Sequence, residues 1–391
     1  MNYILFDGNV RDALLPFTYT RPVADIRIGI LTIREKWEKV LGLTTTTITE
    51  EYLEEKYPMV EMAENVMINA SFLPTKSLVE KVKSLSQNQA IFKGEEVIAF
   101  FTSDTQEEVD FDSYEAIEFD EEIIQVKNTW DIFSLNDKAI QADFELITEG
   151  RKSQPIPEGV QCINKENIFI EEGAEITFST LNASTGPIYI GKNALVMESC
   201  SVRGPFVMCE NSVLKMGAKI YGATTLGPYC KVGGEVNNSV MFGYSNKGHE
   251  GFLGNSVIGE WCNLGADTNT SNLKNNYAEV KLWSYETGRF ARTGLQFCGL
   301  IMGDHSKCGI NTMFNTGTVI GVSANVFGSG YPRNFIPSYS WGGASGFTTY
   351  QMRKVLEVAE VVMKRRSIEL SEVDKNILDT VFEMTKTYRN Y

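Results

Sequence analysis

The sequence predicts an α/β domain at the start (1–150), a parallel β-helix in the middle (151–346) and α-helices at the end (347–391). Three observations lead there. Aliphatic residues recur at every sixth position through the middle of the chain, a period that fits neither a helix nor simple strand alternation. Before them, short apolar runs alternate with amphipathic ones, the pattern of mixed strands and helices. After them, apolar residues fall at helical spacing beside a cap signature.

In the first part, "YILF" (Tyr3–Phe6) reads as a buried strand and "EVIAFF" (Glu96–Phe101) as another. "LTIREKWEKVL" and "SLVEKVKSL" read as helices between them. The acidic run "DFDSYEAIEFDEE" is expected to be a solvated face rather than a metal site. Near the start, Asp7, Arg11, Arg21 and Arg27 offer either an anion site or structural salt bridges.

In the middle part, counting by sixes from Ile190 gives Val196, Val202, Met208, Leu214, Ile220, Leu226 and Val232 without a miss. The count resumes at Phe252, Ile258 and Leu264, and again at Met302, Cys308, Phe314, Ile320 and Val326. A small residue lies four places after most of these, as Ala194, Cys200 and Ser212 do. Each step is one short flat strand and a turn, and three steps make a coil. The aliphatic side chain points into a narrow prism and the small one packs beside it. From about Gly234 to Gly251 the count breaks, so an insertion carrying His249 is expected there. A solvated loop histidine is the plain alternative to a functional one. The other histidine, His305 in "GDHSK", is expected at an exposed turn.

At the end of the chain, Met352, Val355, Leu356, Ala359, Val362 and Met363 form one helical stripe, and Ser371 with Asp374 reads as the cap of a last helix. Such helices cover the open end of a solenoid or pack against a neighbouring subunit.

Composition excludes several classes. With 36 Lys and Arg against 50 Asp and Glu, the formal charge of −14 opposes nucleic acid, while leaving room for a phosphorylated metabolite held by a few local cations. No apolar run approaches the roughly 18 residues of a membrane span, and the start lacks the form of a signal peptide, so a cytoplasmic location is expected. The seven cysteines include no Cys-x-x-Cys pair and read as reduced, buried thiols; with only two distant histidines, no metal site is expected.

The six-residue period, with Gly after many of the aliphatic positions, resembles the left-handed β-helix of hexapeptide acyltransferases. That family implies a homotrimer with active sites between neighbouring prisms. The stretch "GEVNNSVMFGYSNKGHEGFLGNSVIGEWCNLGADTNTSNLKNN" further resembles the acetyltransferase half of the bifunctional bacterial N-acetylglucosamine-1-phosphate uridyltransferase/glucosamine-1-phosphate acetyltransferase family. The resemblance runs from about Ile188 to Ser340. It implies that His249 is the general base and Glu235 the acid that supports it, with Asn263 and Asn272 contacting the sugar. It also implies acyl-CoA contacts from Gly265, Ala266, Ile310 and Gly328, and Tyr244, Lys247 and Lys274 are further candidate substrate contacts beside them. Imidazole suits the base role because an amine must lose a proton before it attacks a thioester. The chain departs from the family at Asn237, Leu273 and Tyr221, and two of the groups missing there bind the sugar phosphate in the family, so another acceptor, or substitution by nearby Lys219, Lys231, Lys247 and Lys274, is expected.

By position, the first domain resembles a shortened sugar nucleotidyltransferase domain, with Asp7, Arg11 and Arg21 in place of the nucleotide loop. "FDGNVRDALLPF" lacks the glycines that bring backbone N–H groups to a phosphate, so nucleotidyl transfer is expected to be weak or absent. Mg2+ is expected only with an active first domain. The leading expectation is an acetyl-CoA or other acyl-CoA dependent N-acyltransferase. Its acceptor is an amino sugar phosphate or nucleotide amino sugar, in UDP-N-acetylglucosamine-type cell-envelope precursor synthesis. A sugar-1-phosphate nucleotidyltransferase with a structural β-helix, and a non-catalytic trimeric scaffold, are the alternatives.

Overall fold

A computed structural model describes residues 1–103 and 109–391, which pack as two compact units. The first comprises Met1–Leu14, Thr20–Ile26 and Leu31–Asn128, and the second Leu15–Tyr19, Arg27–Ile30 and Thr129–Tyr391. Chain order places a boundary near 150; packing places it at Asn128. The reason lies in side chains that pack on the β-helix. Asn136 Nδ2 donates to Ala223 O at 2.8 Å, Thr225 Oγ1 donates to Gly29 O at 2.9 Å, and the Phe17 and Phe242 rings lie 4.9 Å apart.

The first unit is built on a mixed sheet of β1 (Asn2–Phe6), β2 (Thr46–Ile48), β3 (Asn65–Asn69), β4 (Gln89–Lys93), β5 (Glu96–Thr102) and β6 (Glu115–Glu118). Its order is β2-β1-β3-β5-β4-β6. β1 pairs in parallel with both neighbours, and its apolar run is buried because such a strand has both faces covered. Helix α1 (Ile33–Leu41) starts on a capping box between Thr32 and Glu35 and stops at Gly42, whose φ of 76° is the left-handed turn that a Cβ would oppose. It buries Trp37, whose indole donates to Phe72 O at 3.0 Å. Helix α2 (Lys76–Ser84) buries Leu78, Val79 and Val82. The acidic run forms the sheet-edge strand β6 with exposed carboxylates.

The second unit is a parallel β-helix with three faces of six, nine and ten strands among the described residues. Each strand pairs with the next coil in register, as Ile188 with Phe206 and Val196 with Leu214. All eight residues of the first run, Ile190 to Val232, are at most 3% exposed. Burying an aliphatic side chain contributes about 1.5–3 kcal/mol, so the column is the main source of stability. The small residues beside it are buried, and their hydroxyls are satisfied by backbone; Ser212 Oγ donates to Cys209 O at 2.6 Å and Ser306 Oγ to Gly321 O at 2.6 Å. No disulfide joins any of the seven cysteines, and six are buried.

Two expectations about the repeat need correction. Phe252 is only half-buried, and Leu253, fully buried, takes the inward place. The stretch from Gly234 to Gly251 is also not an insertion. Strand pairing runs straight through it, with Ile220 beside Val236, Leu226 beside Met241, and Val232 beside Lys247. The coils here are shortened, so a strict count of six loses the inward residues although the prism continues. The true excursion lies between Thr270 and Leu300 and carries the antiparallel hairpin Lys281–Ser284/Arg289–Arg292.

Beyond the coils, α3 (Asp131–Ser134) and α4 (Asn136–Thr148) precede the β-helix, while α5 (Met352–Lys364) and α6 (Glu372–Met384) follow it. α5 buries Val355, Ala359 and Met363 from the expected stripe, and α6 starts on the expected Ser371–Asp374 capping box. No helix among the described residues is long and apolar enough to cross a membrane.

Candidate active site

A cavity of about 560 Å³ opens along the ten-stranded face of the β-helix. Strand register sets which residues line it. Asn246 stands beside Lys231 on the preceding coil and beside Asn263 on the next. Asn246 Nδ2 donates to Asn263 Oδ1 at 3.5 Å, and Arg366 donates to Asn246 Oδ1 at 3.2 Å, so the two amides and the end of α5 form one polar chain along the wall.

His249 lies at the rim, exposed, three residues past Asn246. Its imidazole makes no hydrogen bond among the described residues, but its backbone is held from below. Lys247 points into the prism at 1% exposure, where the coil on either side has Val232 and Leu264, and its ammonium donates to Gly233 O at 3.0 Å and His249 O at 2.9 Å. Burial pushes the Lys247 ammonium down to about 8.

At the far end of the cavity lie Gly265, Ala266 and Ile310. A Cβ at Gly265 would stand 2.5 Å from Ile310 N, which is why this coil needs glycine there. The Gly265 N–H is used in the ladder, donating to Cys308 O at 3.1 Å. The Ala266 N–H has no protein acceptor among the described residues, so of this pair it is the one that can serve a ligand oxygen.

One side wall is aromatic. Tyr244 and Trp261 stack with centroids 4.2 Å apart, and Tyr229 and His305 extend the stack on either side. All four residues have φ between 54° and 60°, one per coil at the same corner. Bulky residues rarely take this conformation, and mutual stacking offsets part of its strain. His305 is therefore half-buried against Trp261 rather than an exposed turn residue.

The structure thus gathers His249, Tyr244, Asn263, Gly265, Ala266 and Ile310 on one cavity. It places the other expected site residues elsewhere. Lys247 is inside the prism, where its length lets it reach two carbonyls that an aliphatic residue would leave unpaired. Lys274 donates to Glu279 O at 2.9 Å within the excursion, and Asn272 donates to Asn255 Oδ1 at 2.8 Å. Gly328 follows the strand Asn325–Val326 and does not line the cavity. Glu235 begins a strand of the six-stranded face, beside Phe252 one coil on; it sits next to Gly234, whose backbone abuts that of His249, but no hydrogen bond joins the Glu235 and His249 side chains. Lys219 is paired with Glu250 at 3.2 Å.

Sequence reasoning missed Lys215, Trp261, Arg365 and Arg366, which also line the cavity. The arginines end the "VVMKRR" run, more than a hundred residues from His249, and no local pattern ties them to it.

In the first unit, two of the expected nucleotide-binding residues, Asp7 and Arg11, are engaged with protein groups. Asp7 is buried and accepts from Val23 N at 2.7 Å and from Thr49 Oγ1 at 2.6 Å, with Arg11 at 3.7 Å. Arg11 donates to Glu50 at 3.2 Å and to the Tyr52 hydroxyl at 2.9 Å, and Arg21 is 5% exposed. Burial raises the Asp7 pKa, against the lowering effect of these partners.

Residues 3–152 match the sugar nucleotidyl transferase family. The bifunctional protein GlmU of Synechococcus elongatus is 23% identical over 225 residues, 52% of this chain and 46% of its own length. GlmU of Thermus thermophilus is 30% identical over 139 residues, 29% of this chain and 30% of its own. A bifunctional sugar-1-phosphate nucleotidylyltransferase/acetyltransferase of Sulfurisphaera tokodaii is 27% identical over 221 residues, 50% of this chain and 55% of its own. The chain thus spans about half the length of the curated relatives it matches. Among solved structures, a UDP-N-acetylglucosamine acyltransferase of Francisella novicida is 13% identical over 60% of this chain and 76% of its own, with a TM-score of 0.29.

Proposed function

We propose that this GlmU-like variant, a sugar nucleotidyl transferase-type domain ahead of a β-helix, transfers an acyl group from acyl-CoA to the amine of an amino sugar phosphate or nucleotide amino sugar, working as a homotrimer. The observation that carries the reading is the cavity itself. An exposed imidazole, an amide pair and an unused backbone N–H open onto one space.

The chemistry follows from those groups. The acceptor's ammonium gives its proton to the His249 imidazole, and the freed nitrogen lone pair attacks the thioester carbon. The carbonyl oxygen gains charge, which the Ala266 N–H stabilises. The attacking nitrogen sheds its second proton to solvent, collapse breaks the C–S bond, and His249 returns its proton to the leaving thiolate, so that amide and thiol form with one proton released. Asn263 holds the acceptor's hydroxyls. Acyl-CoA enters as a co-substrate, and no metal is needed for this route. Glu235 supports the reading less directly, since its carboxylate must turn toward His249 once substrate is bound. Asn263→Ala should raise KM for the acceptor more than it lowers kcat, measured as initial rates of thiol release. A fall in kcat at unchanged KM would remove the acceptor-binding role.

Nucleotidyl transfer is a second reading because of the family match over 3–152. The internal pairing of Asp7 and Arg11 argues against it, since those charges already have protein partners. Release of pyrophosphate from UTP, with a sugar 1-phosphate and Mg2+, should stay at background. Turnover above background that Arg11→Ala abolishes without unfolding the protein would establish the second reading instead.

A further inference from the structure

The cavity has one strongly basic end that the reaction above does not use. Lys215, Lys231, Arg365 and Arg366 all line it, and none of its lining residues is Asp or Glu, in a chain with 50 acidic residues against 36 basic ones. Among the described residues, none of the four is paired with a carboxylate; the side-chain partner of Arg366 is the neutral Asn246. The four are close enough to repel. The Lys231 ammonium titrates lower than usual, first because it is partly desolvated and then because Arg366, Lys215 and Arg365 surround it. A cluster of like charges without counter-charge is unfavourable in the free protein and becomes favourable when an anion enters.

Register also sets the distance from this end to the chemistry. Leu214, Val232, Lys247 and Leu264 stack on successive coils, so Lys215 lies three coils from Gly265. At about 4.8 Å per coil that is roughly 14 Å. Arg366 comes nearer, bonded to Asn246 one coil from Asn263, so a phosphate on the sugar ring itself can meet that cation. It falls short of Lys231 and Lys215, two and three coils away, while the amine meets a thioester beside Ala266. A diphosphate linkage between sugar and nucleoside supplies the missing length, and its charges suit two arginines and two lysines.

We infer that the acceptor is a nucleoside-diphosphate amino sugar, with Lys215, Lys231, Arg365 and Arg366 holding its diphosphate and helix α5 thereby forming part of the acceptor site. This rests on the acyl-transfer reading for which end of the cavity the acceptor occupies. The diphosphate of coenzyme A carries the same chemistry, and the experiment separates the two.

Calorimetric titration of the full-length protein with UDP-glucosamine, glucosamine 1-phosphate and coenzyme A, each against the parent and the double variant Arg365→Gln/Arg366→Gln, tests the assignment. Both arginines are at the surface end of α5, and a circular dichroism melt of the variant checks that the fold is kept. UDP-glucosamine should bind the parent at least tenfold tighter than glucosamine 1-phosphate, and the variant should lose at least tenfold toward UDP-glucosamine while keeping its affinity for coenzyme A. Loss of coenzyme A affinity with UDP-glucosamine unaffected would assign the cations to the co-substrate and overturn the proposal. Equal binding of the two sugars, or no effect of the variant on either, would overturn it as well. Arginine-dependent UDP-glucosamine binding without acyl transfer from acetyl-CoA would sink the acyl-transfer reading while leaving the diphosphate site standing.

Discussion

His249→Ala is expected to lower acyl transfer by roughly 10²–10⁴-fold, the usual range for a positioned acid/base group, while leaving assembly and coenzyme A affinity unchanged. The imidazole is exposed and bonds to no side chain among the described residues, so removing it should not disturb the coil. The groups proposed to meet the thioester, Ala266 and Ile310, belong to other coils. The loss should shrink as pH rises toward the acceptor's own pKa, because more of the amine then arrives deprotonated. The check is a rate-pH profile for parent and variant, with light scattering and a coenzyme A titration on both. Parent-like rates in the variant at every pH would reduce His249 to a loop residue and restore the scaffold reading. A variant that also loses coenzyme A affinity would mean that the ring packs against the co-substrate rather than acting as a base.

The prism was legible because its signal is physical: a narrow triangular core accepts one aliphatic side chain per face per coil, and that requirement prints a period of six on the sequence. Fifteen of the sixteen positions counted this way are in the core. The miss, Phe252, falls where the coils shorten, since a count assumes constant steps and strand pairing does not. For the same reason the region around His249 looked like an insertion. Val236 and Met241 keep the inward column going at shorter intervals, and then a lysine, which no hydrophobic pattern would select, takes the next place. The catalytic proposal for His249, Asn263 and Ala266 came from motif resemblance, and the cavity that joins them came from stacking of coils. The basic end was invisible because its arginines arrive on a helix from the far end of the chain. Lysines that looked equivalent in sequence separate by geometry: Lys231 faces the cavity, Lys219 pairs with Glu250, Lys247 enters the prism and Lys274 ties down the excursion.

Lys247→Met should remove a pH dependence of stability and slow the reaction at the same time. In the folded protein the Lys247 ammonium titrates at about 8 instead of its ordinary 10.5, chiefly because it is buried. Between those two pH values the unfolded chain keeps its proton while the folded one has lost it, so the unfolded state binds more protons and parent stability rises with pH. Below about 8 both states are charged, and the burial penalty is present in full. A shift of this size corresponds to about 3 kcal/mol at about 1.4 kcal/mol per pH unit. Methionine has similar length and no charge, so the variant escapes that penalty but leaves Gly233 O and His249 O without their donor, at roughly 1–3 kcal/mol each. The two effects offset near neutrality. Parent and variant should therefore be within about 2 kcal/mol at pH 7, with the parent gaining about 3 kcal/mol on the variant by pH 10.5. Lys307, also pushed down to about 8 by burial, is common to both proteins and cancels in the difference. Because His249 O is one of the two anchors, the segment carrying the imidazole should loosen in the variant, and kcat should fall roughly tenfold with little change in KM for acyl-CoA. Urea unfolding of both proteins at pH 7, 8, 9 and 10.5, beside steady-state rates at pH 7, measures each part. Parallel stability curves would show that Lys247 keeps an ordinary pKa through access to water, and an unchanged kcat would show that its bond to His249 O does not position the base.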